Sequence, residues 1–336
     1  MQQPPLAQPQ KVTEPLPEAR EVAPGIWKIT VPIPFPLRTV NVYALVGKDG
    51  WAMVDTSMGT PDTREALEKG LGQAGLRIED LRTIVLSHHH PDHVGLSAEL
   101  HERSGAAVYM HPIDEAAIRV IWAGKMPERF GRVSQFFSQH GMPPTDFWFT
   151  QVEPDVMRNI IRVPPHEVIT LVDDGAYITV ADEHSDGHIC LFRDRDGVFI
   201  AADHVLPRIT PNIGLYSEKD RPNPLGDYLE SLAKVAPLPA SIVLPGHGEP
   251  FTDLAGRTTE IMQHHEEREA HILTLLNAGP QHAYAVAEQL FGHRWNNSEA
   301  RRMAVAETLS HLEHLRFGGR VERNRTPEGQ LLYAVV

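Results

Sequence analysis

The chain has 336 residues, which indicates about two domains at the usual ~100–200 residues each. Its hydrophobic content of 41% is enough for a full core without a disulfide or metal scaffold. The formal net charge of −13 argues against nucleic acid or an anionic membrane as a main partner. A single cysteine, Cys190, excludes a disulfide framework and cysteine-rich metal sites, so the nineteen histidines favour nitrogen and oxygen ligands.

The start of the chain is rich in proline and glutamine and contains no apolar segment. We therefore expect residues 1–20 to form a disordered tail rather than a secretory signal. No apolar run elsewhere approaches the ~18–20 residues that cross a bilayer. These features predict a cytoplasmic protein without membrane contact.

The next part of the chain has the pattern of an α/β protein. β-branched and aromatic residues predict short strands within residues 25–46 and a strand at 51–55. A helix at about 60–71 and a short buried strand at 83–86 follow, and this alternation indicates α/β layering. The later elements of this part are strands at 168–172, 176–180, 189–192 and 198–201, a helix at 225–235 and a strand at 241–244.

Residues from about 113 to 170 interrupt this pattern. They form helical pieces broken by prolines and contain a cluster of aromatic residues. The cluster predicts either the wall of an apolar substrate pocket or a helical subdomain that packs its own aromatic side chains. Its members are Trp122, Phe130, Phe136, Phe137, Phe147, Trp148 and Phe149.

The last part of the chain reads as three helices followed by a short β-hairpin. This order predicts a winged-helix-like C-terminal domain over residues 258–336. Residues 257–336 contain nine arginines, no lysine, ten glutamates and no aspartate, so a basic recognition helix for nucleic acid is lacking. We expect this domain to serve in packing or in dimerisation, and dimerisation would make the protein a homo-oligomer.

The clearest chemical signal directly follows the buried strand at 83–86. It reads Ser87-His88-His89-His90-Pro91-Asp92-His93. Burying so many polar side chains is costly unless they bind something, and imidazoles with a carboxylate suit Zn²⁺ and related divalent ions. Further candidate ligands lie near the ends of later strands: His184, His188, Asp203 and His247.

These residues carry a resemblance to the metallo-β-lactamase-fold hydrolases over about residues 25–250. The family motif is His-x-His-x-Asp-His, followed at increasing distance by a His, an Asp and a His. The resemblance implies an αββα sandwich, with a catalytic domain at 21–257 that contains the 113–170 insertion. It also implies two divalent metal ions, which we expect to be Zn²⁺, with Mn²⁺ or Fe²⁺ as alternatives. The implied ligands are His88, His90 and His184 for the first ion, Asp92, His93 and His247 for the second, and Asp203 as a bridge.

One segment departs from the family pattern. Where Pro-Gly-His-x-x-Gly-His is common, the chain has Asp-Glu-His-Ser-Asp-Gly-His at residues 182–188. Gly187 and His188 keep the register, so His184 is still the expected ligand and His188 is expected to support the turn. Asp55 is expected to hold a ligand histidine or a loop. His204 and Tyr216 are candidates for substrate contact, and a structural role is the alternative interpretation for both.

The resemblance implies dinuclear hydrolysis, in which a metal-bridging hydroxide attacks an acyl or phosphoryl centre. Asp92 is the expected catalytic residue, since it can orient the nucleophile or carry a proton. We expect a small-molecule ester, thioester or lactone substrate, as in the glyoxalase-II and lactonase branches. The alternatives are a phosphodiesterase or endoribonuclease of the same fold, and a mononuclear iron persulfide dioxygenase.

Overall fold

The structure is a computed structural model that describes residues 18–35, 37–121, 126–143, 160–172, 178–182, 185–217, 222–295 and 297–336. The tail predicted over residues 1–20 lies outside these ranges except for its last three positions. Arg20 already begins a strand, so the predicted tail is too long at its end. Within the described ranges, no helix is both long enough and apolar enough to span a membrane.

The larger sheet has seven strands that lie side by side in chain order. The strands are β1 (Arg20–Ala23), β2 (Ile26–Pro32), β3 (Thr39–Val46), β4 (Trp51–Val54), β5 (Leu81–Val85), β6 (Ala107–Met110) and β7 (Ile169–Leu171). Pairing is antiparallel from β1 to β4 and parallel from β4 to β7. The parallel strands are joined by helices, as the predicted α/β alternation requires.

The smaller sheet has four strands in the order β11-β10-β9-β8. They are β8 (Ile178–Asp182), β9 (Ser185–Arg193), β10 (Val198–Ala202) and β11 (Ile242–Pro245). β10 pairs antiparallel with β9 and parallel with β11. Because β10 and β11 are parallel, their carboxyl ends meet at one edge of the sheet.

The two sheets pack face to face with helices on their outer faces. Ile26, Tyr43 and Val54 of the larger sheet share a buried cluster with Ile200 and Leu244 of the smaller one. The outer faces are covered by α1 (Pro61–Gln73), α2 (Pro91–Val94), α3 (Ser97–Ser104), α4 (Pro112–Ile121) and α6 (Pro224–Val235). The predicted αββα sandwich is confirmed.

A C-terminal domain follows the sandwich. It contains α7 (Leu254–Leu276), α8 (Ala283–Phe291), α9 (Ser298–Phe317) and a hairpin of β12 (Val321–Arg325) and β13 (Leu331–Val335). α7 begins four residues before the expected boundary at 258, because Asp253 caps the helix by accepting a 2.7 Å hydrogen bond from Gly256 N. The first turns of α7 pack in the sandwich and its last turns in the C-terminal core, so the helix joins the two.

The insertion contributes its second helix, α5 (Met126–Gln139), to the C-terminal core. Phe136 and Phe137 are buried there together with Leu309 and Leu312 of α9. These two aromatic residues therefore form neither a separate subdomain nor an open pocket wall. Trp122, Phe147, Trp148 and Phe149 lie outside the described residues, as does the side chain of Phe130.

Candidate metal centre

The candidate site lies where several strands of both sheets end. Asp55 directly follows β4, and the histidine-rich segment, residues 87–93, comes after β5 and continues into α2. Asp203 directly follows β10, and His247 comes shortly after β11. Asp55 has φ +61° and Ala202, next to Asp203, has φ +43°, both in the left-handed region that side chains other than glycine seldom adopt. Such strain accumulates where a side chain must point in one particular direction.

The first ligand group consists of His88, His90 and Asp203. One nitrogen or oxygen from each lies within 4.8 Å of the others. Nε2 of His88 and Nδ1 of His90 are 3.1 Å apart. His88 is completely buried and His90 half-buried, so the group opens to solvent on the His90 side.

The second ligand group consists of Asp92, His93 and His247, whose ligand atoms also lie within 4.8 Å of one another. Asp92 Oδ2 is 3.5 Å from His247 Nε2. Asp203 reaches this group as well, since its Oδ2 lies 3.4 Å from His93 Nε2 and 3.3 Å from His247 Nε2. One carboxylate therefore adjoins both groups.

Asp55 orients one histidine of each group. Its Oδ2 accepts 2.8 Å hydrogen bonds from His93 Nδ1 and from the Ser87 hydroxyl. Because that hydroxyl donates to Asp55, it accepts from Nδ1 of His88 at 2.9 Å. In both histidines Nδ1 is the nitrogen that donates to this network, so Nε2 is the nitrogen that can bind a metal ion.

The loop that carries His247 is held by β3 of the opposite sheet. His247 Nδ1 donates to the Thr39 carbonyl at 2.7 Å, which leaves Nε2 for the site. Asn41 Nδ2 donates to the carbonyls of Pro245 at 3.0 Å and Gly248 at 2.8 Å. The buried Tyr43 hydroxyl also donates to Pro245, at 2.6 Å. β3 of the larger sheet therefore holds the loop that places His247 in the second ligand group.

The site carries a strong negative potential. Burial lowers the pKa of His93, but the carboxylates of Asp203 and Asp55 outweigh it and raise that pKa well above its ordinary value. Burial likewise lowers the pKa of His247, and Asp203 with Asp92 raises it overall. Three carboxylates around buried imidazoles thus favour a cation among them.

The residues fit divalent metal ions. Histidine nitrogens and carboxylate oxygens are the donors that Zn²⁺, Mn²⁺ and Fe²⁺ accept. Nε2 of the fully buried His93 faces Asp203 Oδ2 at 3.4 Å without a hydrogen bond to any described residue, which leaves this nitrogen available to a metal ion. A side chain at Gly246 would place its Cβ 2.1 Å from Asp203 Oδ1, so glycine gives this carboxylate its room.

The other residues singled out from the sequence have varied positions. His184 lies outside the described residues. The ring of His188 stacks on that of His88, with centroids 4.9 Å apart. His204 is buried against Tyr228, and Tyr216 packs beside Phe137 and under Arg302. Tyr216 and His204 therefore have structural neighbours, and their contact with substrate stays a prediction.

Four residues around the site were not assigned a role from the sequence: Ser87, Asp114, Thr39 and Gly246. Ser87 adjoins the motif and could have been noticed, since a hydroxyl beside a ligand histidine is a ready hydrogen-bond partner. Thr39 acts through its backbone carbonyl, which leaves no sequence signal. Asp114 is treated below.

Replacing Asp55 by asparagine is expected to weaken metal binding at both groups by about 10–100-fold. The Asp55 carboxylate accepts hydrogen bonds from His93 Nδ1, from the Ser87 backbone N–H and from the Ser87 hydroxyl. Asparagine has a single acceptor oxygen and cannot accept all three. Competition between the protein and a chromophoric chelator measures the affinity. The exposed Asp49→Asn serves as the control, and unchanged affinity in Asp55→Asn would contradict this role.

The sequence matches the family model of the metallo-beta-lactamase superfamily over residues 36–247. It also matches the model of the metallo-beta-lactamase-like C-terminal domain over residues 270–336. The probable metallo-hydrolase YqjP of Bacillus subtilis (strain 168) is 27% identical over 300 residues, which cover 85% of this chain and 91% of that protein.

Two solved structures are similar along nearly their whole length. The metallo-beta-lactamase family protein TTHA1429 from Thermus thermophilus is 35% identical with a TM-score of 0.79, over 94% of this chain and 100% of its own. A beta-lactamase domain protein from Burkholderia ambifaria has a TM-score of 0.83 at 26% identity, over 96% and 97% of the two chains. The arrangement of sandwich and C-terminal domain thus occurs in other proteins.

Proposed function

The chain belongs to the metallo-beta-lactamase superfamily, and on that premise we propose that it is a dinuclear metal-dependent hydrolase of small-molecule esters, thioesters or lactones. Its similarity to a probable metallo-hydrolase supports metal-dependent hydrolysis. The acidic charge of the chain favours a small neutral or apolar substrate over nucleic acid.

One observation carries the dinuclear proposal. Asp203 belongs to the first ligand group and also lies 3.3–3.4 Å from two imidazole nitrogens of the second. A carboxylate has two oxygens and about four lone pairs, so it can serve two ions at once. This position supports a bridging role for Asp203 between two metal ions.

The residues divide the work of hydrolysis as follows. The two ligand groups would hold divalent ions, which would supply Lewis acidity to polarise a carbonyl oxygen and to lower the pKa of water. We assign to Asp92 the orientation of the attacking water and the transfer of its proton to the leaving group. Asp55, Ser87 and the Thr39 carbonyl keep the ligand histidines in one tautomer, so that the site needs little reorganisation on binding.

The loop between β2 and β3 carries two exposed apolar side chains close in sequence to Thr39. It ends at Thr39, the partner of His247, and exposes Phe35 and Leu37 by 37% and 44%. Apolar side chains that are exposed close together can form a patch for ligand binding. We propose that they contact the apolar part of the substrate.

The double variant Phe35→Ser/Leu37→Ser is expected to raise KM for a long-chain acyl ester about tenfold, which corresponds to about 1.4 kcal/mol of lost apolar contact. The value of kcat should stay within about twofold, because the metal ligands are untouched. p-Nitrophenyl octanoate and p-nitrophenyl acetate are compared, and an equal change in KM for both would contradict this assignment.

A substrate panel with defined metals tests the proposed function. The chain, loaded with Zn²⁺, Mn²⁺ or Fe²⁺, is assayed with p-nitrophenyl esters, an acyl-homoserine lactone, S-lactoylglutathione and bis-p-nitrophenyl phosphate. We expect hydrolysis of at least one carboxylic ester, thioester or lactone together with two metal equivalents per chain. Activity on the phosphodiester alone, or one equivalent of iron with sulfite formed from glutathione persulfide, would refute the proposal.

A further inference from the structure

Asp114 is a buried carboxylate that lies outside both ligand groups and that the mechanism does not use. It is the third residue of α4 and is 1% exposed. An acid in the first turn is favoured by the helix dipole, but that position alone does not require it to be buried. Three hydrogen bonds that it accepts lead to the metal centre.

Oδ1 of Asp114 holds the histidine-rich segment. It accepts hydrogen bonds from the His89 backbone N–H at 2.7 Å and from His89 Nδ1 at 2.8 Å. His89 stands between the ligands His88 and His90. Fixing its backbone therefore fixes the direction of the ligand on either side.

Oδ2 of Asp114 holds β9. It accepts a 2.7 Å hydrogen bond from Gly187 N, and a side chain at Gly187 would bring its Cβ within 2.6 Å of the same oxygen. Two residues further along, Ile189 N donates to the Ser87 carbonyl at 2.8 Å. His188 is thus fixed on both sides, and its ring stacks on His88 at 4.9 Å.

We propose that Asp114 is a positioning residue that sets His88 for metal binding in the first group, through the backbone of His89 and the ring of His188. The inference rests on the proposed function, because it assumes a metal ion at that group. Asp114 acts here through residues that adjoin the ligands. Its hydrogen bonds connect α4 with the histidine-rich segment and with β9, which are distant in sequence. These connections lie beside His88, a ligand of the first group.

The test compares Zn²⁺ binding by the wild type, Asp114→Asn and Glu115→Gln, using competition with a chromophoric chelator. Asparagine has one acceptor oxygen, so it cannot accept the hydrogen bonds from both His89 and Gly187. We expect Asp114→Asn to weaken one of two equivalents by about 10–100-fold, with the other within about twofold. Glu115 is a matched control, since it is buried on the same helix but binds Arg119 and His166 instead.

The affected equivalent is identified in a His247→Asn background, where the first group remains as the binding site. Asp114→Asn is expected to weaken binding there by the same factor. The thermal midpoint of the metal-free protein is measured in parallel. A lower midpoint with equal weakening of both equivalents would show a merely structural role and overturn the inference, as would unchanged affinity.

If Asp114→Asn does not fold, His89→Ala replaces it, because His89 is partly exposed and loses one of the three hydrogen bonds. We expect about a fivefold loss of affinity for the same equivalent, and unchanged affinity would overturn the inference. A wild type that binds a single equivalent would refute the dinuclear proposal instead. The Asp114 inference would then fall only if Asp114→Asn binds that equivalent with wild-type affinity.

Discussion

Replacing Asp203 by asparagine is expected to lower kcat/KM for the best ester substrate by at least about 10³-fold. Asp203 adjoins both ligand groups, and an amide has one weak oxygen donor and an NH₂ group that binds no metal. Lewis-acid stabilisation of the transition state is worth several kcal/mol, and about 4 kcal/mol corresponds to 10³ in rate. Elemental analysis should find fewer than two metal equivalents per chain.

The matched control is Asp253→Asn, which removes a carboxylate far along the chain while keeping a good helix cap. It should retain wild-type activity and metal content. If Asp203→Asn instead kept two equivalents and more than about a tenth of the activity, the shared-carboxylate arrangement would be excluded.

Local signals in the sequence predicted the α/β alternation, and the family resemblance implied the αββα sandwich. β-branched runs and turn residues mark most strands of the two sheets, and the ligands between His88 and His93 lie within six positions. Asp203 and His247 are far apart in sequence, and only the resemblance joined them to this motif. The fold brings them together because β10 and β11 are parallel and end at the same edge.

What the sequence could not predict depends on contacts between distant elements. The pattern of α5 indicates that one face is buried, but it does not reveal that Phe136 and Phe137 pack against the C-terminal domain. β1 was not predicted, because Arg20 was placed in the tail and no strand was assigned before residue 25; it forms as an edge strand through backbone pairing with β2. The role of Asp114 could not be predicted from a local motif, because its hydrogen-bond partners are 25 and 73 positions away in the sequence.

The C-terminal core contains a histidine that should make the protein sensitive to acid. His140 is completely buried between Phe136 and Tyr333, and neither ring nitrogen makes a hydrogen bond to a described residue. Burial lowers its pKa to about 3, with the positive charges of Arg323, Arg325 and His282 acting in the same direction. The ring is therefore neutral in the folded protein throughout the neutral and mildly acidic range.

The unfolded chain binds a proton at His140 below pH ~6.5, whereas the folded chain does not until about pH 3. Stability is therefore fully present above pH ~6.5 and falls by about 1.4 kcal/mol per pH unit below it. The variant His140→Phe removes the imidazole that takes up this proton in the unfolded chain, and it keeps an aromatic ring beside Phe136 and Tyr333. We expect it to be at least as stable as the wild type at pH 7.5, and to exceed it by a further ~2 kcal/mol at pH 5.0.

Urea unfolding of both proteins at the two pH values measures this difference. The metal centre is the same in both, so its own pH dependence cancels when the two free energies of unfolding are subtracted. His271→Gln, on the exposed face of α7, controls for the loss of a histidine as such and should follow the wild type. Parallel stability curves for the wild type and His140→Phe would mean that the folded protein accepts a proton at His140. The α5 helix would then have to pack less tightly against the C-terminal core than the burial of Phe136 and Phe137 indicates.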